Sequence, residues 1–283
     1  MFGGSDGKIR MLEKRARVIG AIRSFFDGDG FVEVETSVRI EAPAPEEFID
    51  CPKVETGGYL RASPELQMKK LLALGMERIY QIGPCFRDGE KGSRHNPEFT
   101  MLEWYRRSAT YLDIADDTRR LLGSLGLSTE KIENLYVREM YRKNAGWDPW
   151  DNWDRDRFDF DMASVIEPEI KRIGGGVFLL DYPPQAASLA KISPQGYAER
   201  WEFYWNGLEL ANCFTELCDK KEQLSRFEKS KEARKLLKEA DYPIDYEFIE
   251  CISHIPGAAG VALGIDRLLM CLTDSAKIID VRA

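Results

Sequence analysis

The sequence lacks any long run of uncharged residues. Its longest stretch without Asp, Glu, Lys or Arg is fifteen residues, from Cys251 to Ile265, and this stretch contains His254 and Pro256. A helix that crosses a bilayer needs about 20 consecutive apolar residues, so no membrane-spanning segment is predicted. The N-terminus also lacks the apolar core of a secretory signal peptide, and we therefore expect a cytoplasmic protein.

Cysteine and histidine are scarce. The 283 residues include six cysteines and two histidines, and no two cysteines have the Cys-x-x-Cys spacing of metal or redox sites. We therefore expect packing cysteines in a reducing compartment. Acidic residues exceed basic ones, 48 against 40, which gives a net charge of −8. Binding of a nucleic-acid backbone would need a local basic patch against this overall charge.

The pattern of elements favours an α+β fold with an antiparallel β-sheet flanked by helices. Helical periodicity is seen in residues 11–26, 64–74 and 220–239, and strand patterns in 78–87, 98–106, 177–180 and 201–216. Strands that occur in runs, with few alternations of strand and helix, are typical of this class. Residues 139–169 are acidic and rich in tryptophan, and they are interpreted as a helical or loop-rich insertion. We predict that residues 1–283 form a single domain.

A long β-hairpin is predicted at 78–106, with a polar loop at 88–97. Because side chains alternate along a strand, Phe99, Glu103 and Tyr105 share one face. A buried carboxylate on such a face needs a cation nearby. The partner of Glu103 is therefore either a protein Arg or Lys or the ammonium group of a ligand.

Two further groups of residues indicate a polar pocket. Asn212, Phe214 and Glu216 also alternate onto one face and offer an amide and a second carboxylate. Arg94 and His95 lie in the hairpin loop, where guanidinium and imidazole groups could bind phosphate. The alternative for the loop is a set of solvated surface ion pairs.

Three segments carry a resemblance to a known family. Residues 86–90 (FRDGE), followed by 94–106 (RHNPEFTMLEWYR), resemble motif 2 of class II aminoacyl-tRNA synthetases of the lysyl type. Residues 260–268 (GVALGIDRL) are similar to motif 3, and the segment 11–35 is similar to motif 1, which forms the dimer. The resemblance implies a class II catalytic domain and a homodimer. We expect no N-terminal anticodon-binding OB domain, because too few residues precede Met11.

Two other segments narrow the resemblance. Residues 181–190 (DYPPQAASLA) and 209–212 (ELAN) resemble the GenX/PoxA-type paralogues, which are elongation factor P (R)-β-lysine ligases. This implies that ATP activates (R)-β-lysine, or lysine, as an adenylate that is transferred to a lysine side chain of elongation factor P. Ala262 stands where lysyl-tRNA synthetases have glycine, and its methyl group would reshape the amino-acid pocket.

The resemblance also implies roles for individual residues. Arg87 would bind the α-phosphate and Arg267 the γ-phosphate, and both are expected to be catalytic. Further contacts to ATP are expected from Glu90, Arg94, His95, Asn96, Phe99 and Glu209. The amino acid would be bound by Ser63, Glu65, Glu103, Tyr105, Asn212, Phe214, Glu216 and Ala262.

Magnesium is expected at Glu202 and Glu209, since it prefers oxygen ligands and substrate phosphates. On a regular strand Glu209 would face away from Asn212, so this site requires a β-bulge.

Two alternatives differ in function. A truncated synthetase could aminoacylate tRNA, although the negative charge and the missing N-terminal module argue against it. A catalytically inactive relative could act as an amino-acid sensor, but such a protein would be expected to have lost Arg87, Phe99 or Arg267, and all three are present.

Overall fold

The computed structural model describes residues 5–282. The strands are Val32–Glu33 (β1), Arg39–Ile40 (β2), Tyr59–Leu60 (β3), Arg78–Phe86 (β4), Glu98–Arg107 (β5), Glu133–Tyr136 (β6), Gly176–Tyr182 (β7), Ala198–Trp205 (β8), Leu208–Thr215 (β9) and Ala258–Gly264 (β10). The α-helices are Ser5–Gly28 (α1), Glu65–Ala73 (α2), Tyr111–Ser124 (α3), Val137–Met140 (α4), Arg155–Asp161 (α5), Glu167–Ile173 (α6), Lys220–Leu237 (α7), Tyr246–Cys251 (α8) and Ile265–Thr273 (α9). In this range no helix is both long and apolar enough to cross a membrane.

The described residues form two compact units. The first contains the residues up to Ser108, Cys218–Ala258 and the residues from Ala262 onwards; the second contains Ala109–Leu217 and Ala259–Val261. The assignment of residues 1–283 to a single domain stays a prediction.

The first unit contains the predicted hairpin. Strands β4 and β5 pair antiparallel, from Arg78 opposite Arg106 to Phe86 opposite Glu98. The strand order is β1-β4-β5, with β1 parallel to β4, and β10 has residues in both units. Alternating apolar residues and a turn-rich loop at 88–97 explain why the hairpin was predictable to within one residue at either end.

The second unit carries the strand order β9-β8-β7-β6. Its β7/β8 and β8/β9 pairs are antiparallel, and β6 is parallel to β7. The tryptophan-rich insertion is helical, as expected: it forms α4 to α6 and two π-helical segments, and its tryptophans pack around Tyr141 and Phe158. Both units combine helices with mostly antiparallel strand pairs, so the predicted α+β class is confirmed.

Candidate active site

One face of β5 carries two side chains that were predicted to bind substrates, Phe99 and Glu103. Phe99 lies opposite Cys85 and Glu103 lies opposite Gln81, so both belong to the face that β4 shares. Gly83 lies between these pairs, and a Cβ atom there would stand 2.6 Å from Nη2 of Arg61. Arg61 is buried and donates to the carbonyl oxygens of Thr36 and Pro84. No local pattern predicts this arginine, because its partners Thr36 and Pro84 are distant from it in the chain.

Glu103 is a buried carboxylate held by hydroxyl groups. Its side chain is 1% exposed, and its oxygens accept hydrogen bonds from Ser63 Oγ at 2.7 Å and from the Tyr105 hydroxyl at 2.6 Å. Burial and the negative charge of Glu65 raise the pKa of Glu103 to about 7, against the opposing effect of the two hydroxyl groups and Lys69. A ligand ammonium placed here would stabilise the ionised form.

Glu65 lies beside Ser63 and forms a buried ion pair with Lys69. Lys69 Nζ is 2.5 Å from Glu65 Oε1, and their side chains are 3% and 13% exposed. The periodicity of the sequence predicted a helix over residues 64–74. The helix instead begins at Glu65 after Pro64, while Ser63 Oγ accepts the Glu65 N–H at 3.0 Å. Since this bond uses a lone pair of Oγ, the Ser63 hydroxyl hydrogen is donated to Glu103.

The residues predicted to bind ATP surround two arginines. The Arg87 guanidinium lies 5.1 Å from the centre of the Phe99 ring, and its Nη1 is 3.5 Å from Glu90. Arg267 Nη2 lies 2.6 Å from His95 Nε2. Burial and the positive charge of Arg267, with smaller effects of Arg87 and Arg94, lower the pKa of His95. The imidazole is therefore neutral and accepts a hydrogen bond from Arg267.

Arg94 and Asn96, which were also predicted to contact ATP, lie in the hairpin loop. Arg94 is exposed, and its carbonyl oxygen accepts a hydrogen bond from Arg267 Nε at 3.3 Å. The Asn96 amide donates to the carbonyl of Glu98 at 2.5 Å, so this side chain stabilises the hairpin loop itself. The structure thus brings together Arg87, Glu90, His95, Phe99 and Arg267.

Asp266, which the sequence analysis did not single out, anchors the start of α9. Its carboxylate is 1% exposed and accepts from Arg15 Nη1 at 2.5 Å, Arg282 Nη1 at 2.8 Å and the Thr100 N–H at 2.8 Å. Because Thr100 follows Phe99 and Arg267 follows Asp266, this network fixes the relative positions of two predicted ATP contacts. Its position beside Arg267 in the motif 3 segment was the signal available.

In the second unit, the β-bulge required for the magnesium prediction is present. Glu202 pairs with Asn212 and Tyr204 pairs with Glu209, so Leu210 is the extra residue on β9. Cross-strand partners share a face, and Glu202 and Tyr204 are two residues apart on β8. The carboxylates of Glu202 and Glu209 therefore lie on the same face as the Asn212 amide.

Arg200 is a residue of this face that the sequence analysis missed. It donates to Glu202 Oε1 at 2.5 Å, to Asn212 Oδ1 at 3.2 Å and to the carbonyl of Ala186 at 2.8 Å. Its guanidinium also lies 5.7 Å from the Phe214 ring centre. Burial lowers the pKa of Arg200, but Glu202 and other nearby acidic groups outweigh burial and keep it raised. Arg200 therefore orients both Glu202, the predicted metal ligand, and Asn212, which was predicted to bind the amino acid.

Two further residues predicted to bind the amino acid lie on a strand or directly after one. Glu216 follows β9 and is buried, and Ala262 is half-buried on β10.

Three of the cysteines, Cys51, Cys85 and Cys213, are buried. Burial raises the pKa of Cys51 to about 11 and that of Cys85 to about 12, so these thiols are protonated at neutral pH, as expected of packing residues.

Paired arginines at a β-hairpin and at a strand-helix junction define the catalytic core of class II tRNA synthetases. The chain matches the family model for class II tRNA synthetases (D, K and N) over residues 6–283 and belongs to this family. Membership implies the use of ATP.

More specific similarities follow. Elongation factor P–(R)-β-lysine ligase of Haemophilus influenzae (strain PittGG) is 39% identical over 96% of this chain and 94% of its own length. The ligases of the same name from Mannheimia succiniciproducens and Yersinia enterocolitica are 37% and 36% identical, each over 97% of this chain and 94% of their own length. The resemblance to class II synthetases and to elongation factor P (R)-β-lysine ligases, which the sequence segments predicted, is confirmed.

Proposed function

We propose that this protein is an ATP-dependent ligase that activates (R)-β-lysine, or lysine, and attaches it to a lysine side chain of elongation factor P. The relatives with this name match the chain over nearly its whole length. Elongation factor P enters the proposal from their names alone, since the residues of an adenylation site do not specify the acceptor.

The observation that carries the adenylation step is the arrangement of one face of β5. Phe99, with Arg87 against its ring, and the buried Glu103 lie four residues apart on this face, which is about 13 Å along a strand. An adenine stacked at Phe99 and an ammonium group at Glu103 would thus belong to two substrates bound along one rigid element. Ser63 and Tyr105 hold the Glu103 carboxylate in place for the ammonium group.

These groups support a direct displacement at phosphorus. A carboxylate oxygen of the amino acid forms a bond to the α-phosphorus of ATP, the bond to the bridging oxygen breaks, and pyrophosphate leaves. Arg87 is placed to stabilise the charge that builds on the α-phosphoryl oxygens, and Arg267 to bind the γ-phosphate. Transfer follows when the acceptor amine attacks the acyl carbon, loses a proton and displaces AMP.

Magnesium is proposed at Glu202 and Glu209, whose carboxylates fit a cation with hard oxygen ligands. In residues 5–282, no three His, Cys, Asp or Glu side chains converge as a metal site, so phosphate oxygens would be needed among the ligands. The bound ion would supply neutralisation of phosphate charge. Arg200 and Tyr204 hold the oxygens of Glu202 at 2.5 and 2.6 Å and fix the orientation of this carboxylate.

The decisive experiment offers both acceptors to the enzyme. Purified protein, ATP and labelled (R)-β-lysine are incubated in parallel with elongation factor P and with total tRNA. We expect label on elongation factor P and none on a variant whose acceptor lysine is replaced by arginine. Label on tRNA alone would favour the tRNA synthetase alternative, and the absence of any ATP-pyrophosphate exchange would reject adenylation altogether.

Amino-acid preference is tested at Ala262. Replacing Ala262 by glycine removes a methyl group from the predicted pocket and should shift the ratio of kcat/KM from (R)-β-lysine towards α-lysine. A change of one methyl group in a pocket alters discrimination by about 10-fold to 200-fold. Pyrophosphate exchange with each amino acid gives the ratio. An unchanged ratio would show that Ala262 does not determine the preference.

A further inference from the structure

The first unit contains a buried cation that the roles implied by the family resemblance do not use. Lys69 is 3% exposed on α2, and its ammonium group forms an ion pair with Glu65, one helical turn away, at 2.5 Å. Burying an ammonium group costs free energy unless a negatively charged partner compensates its charge. The adjacent Lys70 points elsewhere, because it pairs with Asp245 and Glu247 at 2.9 and 2.5 Å.

Lys69 is part of a three-charge cluster made with Glu65 and Glu103. Ser63 connects the two carboxylate residues, since its Oγ accepts the Glu65 N–H and donates to Glu103 Oε2. The charge of Glu65 raises the pKa of Glu103, and the charge of Lys69 lowers it. Lys69 therefore pairs directly with one carboxylate of this cluster and acts on the other through its charge.

The other groups around Glu103 do not replace this lysine. Tyr105 on the same strand donates through its hydroxyl, and Gln81 stands opposite on β4. Cys85 on β4 carries a thiol whose pKa is raised mainly by burial, with Arg61 acting on it in the opposite direction. Strand β10, from Ala258 to Gly264, contains no ionisable side chain.

We propose that Lys69 is a positioning residue of the amino-acid site: its ammonium group fixes Glu65 and offsets the negative charge facing Glu103. A larger fraction of Glu103 is thereby ionised and able to bind one ammonium group of a dicationic amino acid. This inference rests on the proposed function, because it takes the ligand of Glu103 to be an ammonium group of the substrate.

The proposal is tested first without any substrate. Protein labelled with ¹³C at the Glu carboxyl carbon is titrated by NMR, and the resonance that disappears in Glu103→Gln identifies Glu103. Lys69→Met should raise the titration midpoint of Glu103 by about one pH unit, a tenfold increase in proton affinity. Lys70→Met is the matched control and should leave the midpoint unchanged, since Lys70 pairs with α8 and its preceding residue.

A second variant tests the proposal even if Lys69→Met does not fold. Glu65→Gln removes the neighbouring negative charge and leaves Lys69, so the Glu103 midpoint should fall below that of the unaltered protein. A midpoint that does not rise in folded Lys69→Met, or does not fall in Glu65→Gln, would overturn the proposal. An equal shift in Lys70→Met would also overturn it, because the effect would not be local.

Pyrophosphate exchange with (R)-β-lysine separates this proposal from the proposed function. A midpoint one unit higher leaves about one tenth of Glu103 ionised at pH 7 instead of one half, so KM of Lys69→Met should rise about fivefold there and approach the normal value at pH 9. The value of kcat should change little. Shifted midpoints without exchange by the unaltered protein would reject the proposed function, whereas exchange with unshifted midpoints would reject only the role of Lys69.

Discussion

At the scale of single residues, Glu103 is expected to oppose stability while it serves binding. Its pKa is raised to about 7 in the folded protein because of burial and the nearby charge of Glu65. A carboxyl group whose folded pKa lies above its unfolded pKa binds protons more tightly when folded. Its stabilising contribution is therefore complete below about pH 4.5, the ordinary value for Glu, and is lost as pH rises through about 7.

Glu103→Gln should consequently stabilise the substrate-free protein at alkaline pH. We expect the free energy of unfolding to rise by roughly 3 kcal/mol at pH 8 and by much less at pH 5, with loss of amino-acid-dependent exchange. Urea denaturation at the two pH values measures the difference. Glu250→Gln is the control, since Glu250 is exposed and pairs with Lys220 at the surface. Equal effects of Glu103→Gln at both pH values would contradict the buried-charge explanation.

Arg87 is the residue whose loss should affect chemistry most. Its guanidinium lies against Phe99, and we propose that it contacts the α-phosphate of a nucleotide stacked there. Arg87→Ala should lower kcat of adenylation by about 10²-fold to 10³-fold, the scale for losing one group that stabilises transition-state charge. Single-turnover formation of the adenylate measures this step. Arg172→Ala, at an exposed ion pair with Glu169, should have no effect, and a similarly small effect at Arg87 would assign charge stabilisation to another residue.

At the scale of elements, Asp266 couples α9 to β5 and α1. It is buried between Arg15 and Arg282 and also accepts the Thr100 N–H. Removing one partner of a buried charge network costs about 3–5 kcal/mol, because the remaining charges lose their compensation. Asp266→Asn should therefore lower the free energy of unfolding by that amount in urea denaturation. Asp116→Asn, at a surface pair with Arg119, should cost at most about 1 kcal/mol, and equal costs would refute the anchoring role.

Some structural features could be predicted from the sequence and others could not. The β4/β5 hairpin was predictable because alternation, a polar loop and local pairing are all written in adjacent residues. The bulge at Leu210 was required only by the family resemblance, since no local signal distinguishes it from a regular strand. Arg61 and Arg200 were missed because a buried arginine whose partners are distant in the chain or on the neighbouring strand has the same sequence signature as an exposed one.

At the scale of the whole molecule, the resemblance to motif 1 predicts a homodimer, and we propose that two exposed apolar residues belong to its interface. Val32 on β1 lies within the segment 11–35, Ile9 on α1 lies just before it, and each is 52% exposed. Exposed apolar side chains within an element that pairs subunits are favoured interface positions. We expect sedimentation velocity to give twice the mass of one chain.

The double variant Ile9→Asp/Val32→Asp should dissociate this dimer, because two charges would be buried without partners at the interface. Its sedimentation should then correspond to a single chain at micromolar concentration. Leu236→Asp provides the control: Leu236 is 85% exposed on α7, outside the segment that resembles motif 1, and this change should leave the dimer intact. A double variant that still sediments as a dimer would place the subunit interface elsewhere, and the motif 1 segment would then serve only the packing of its own chain.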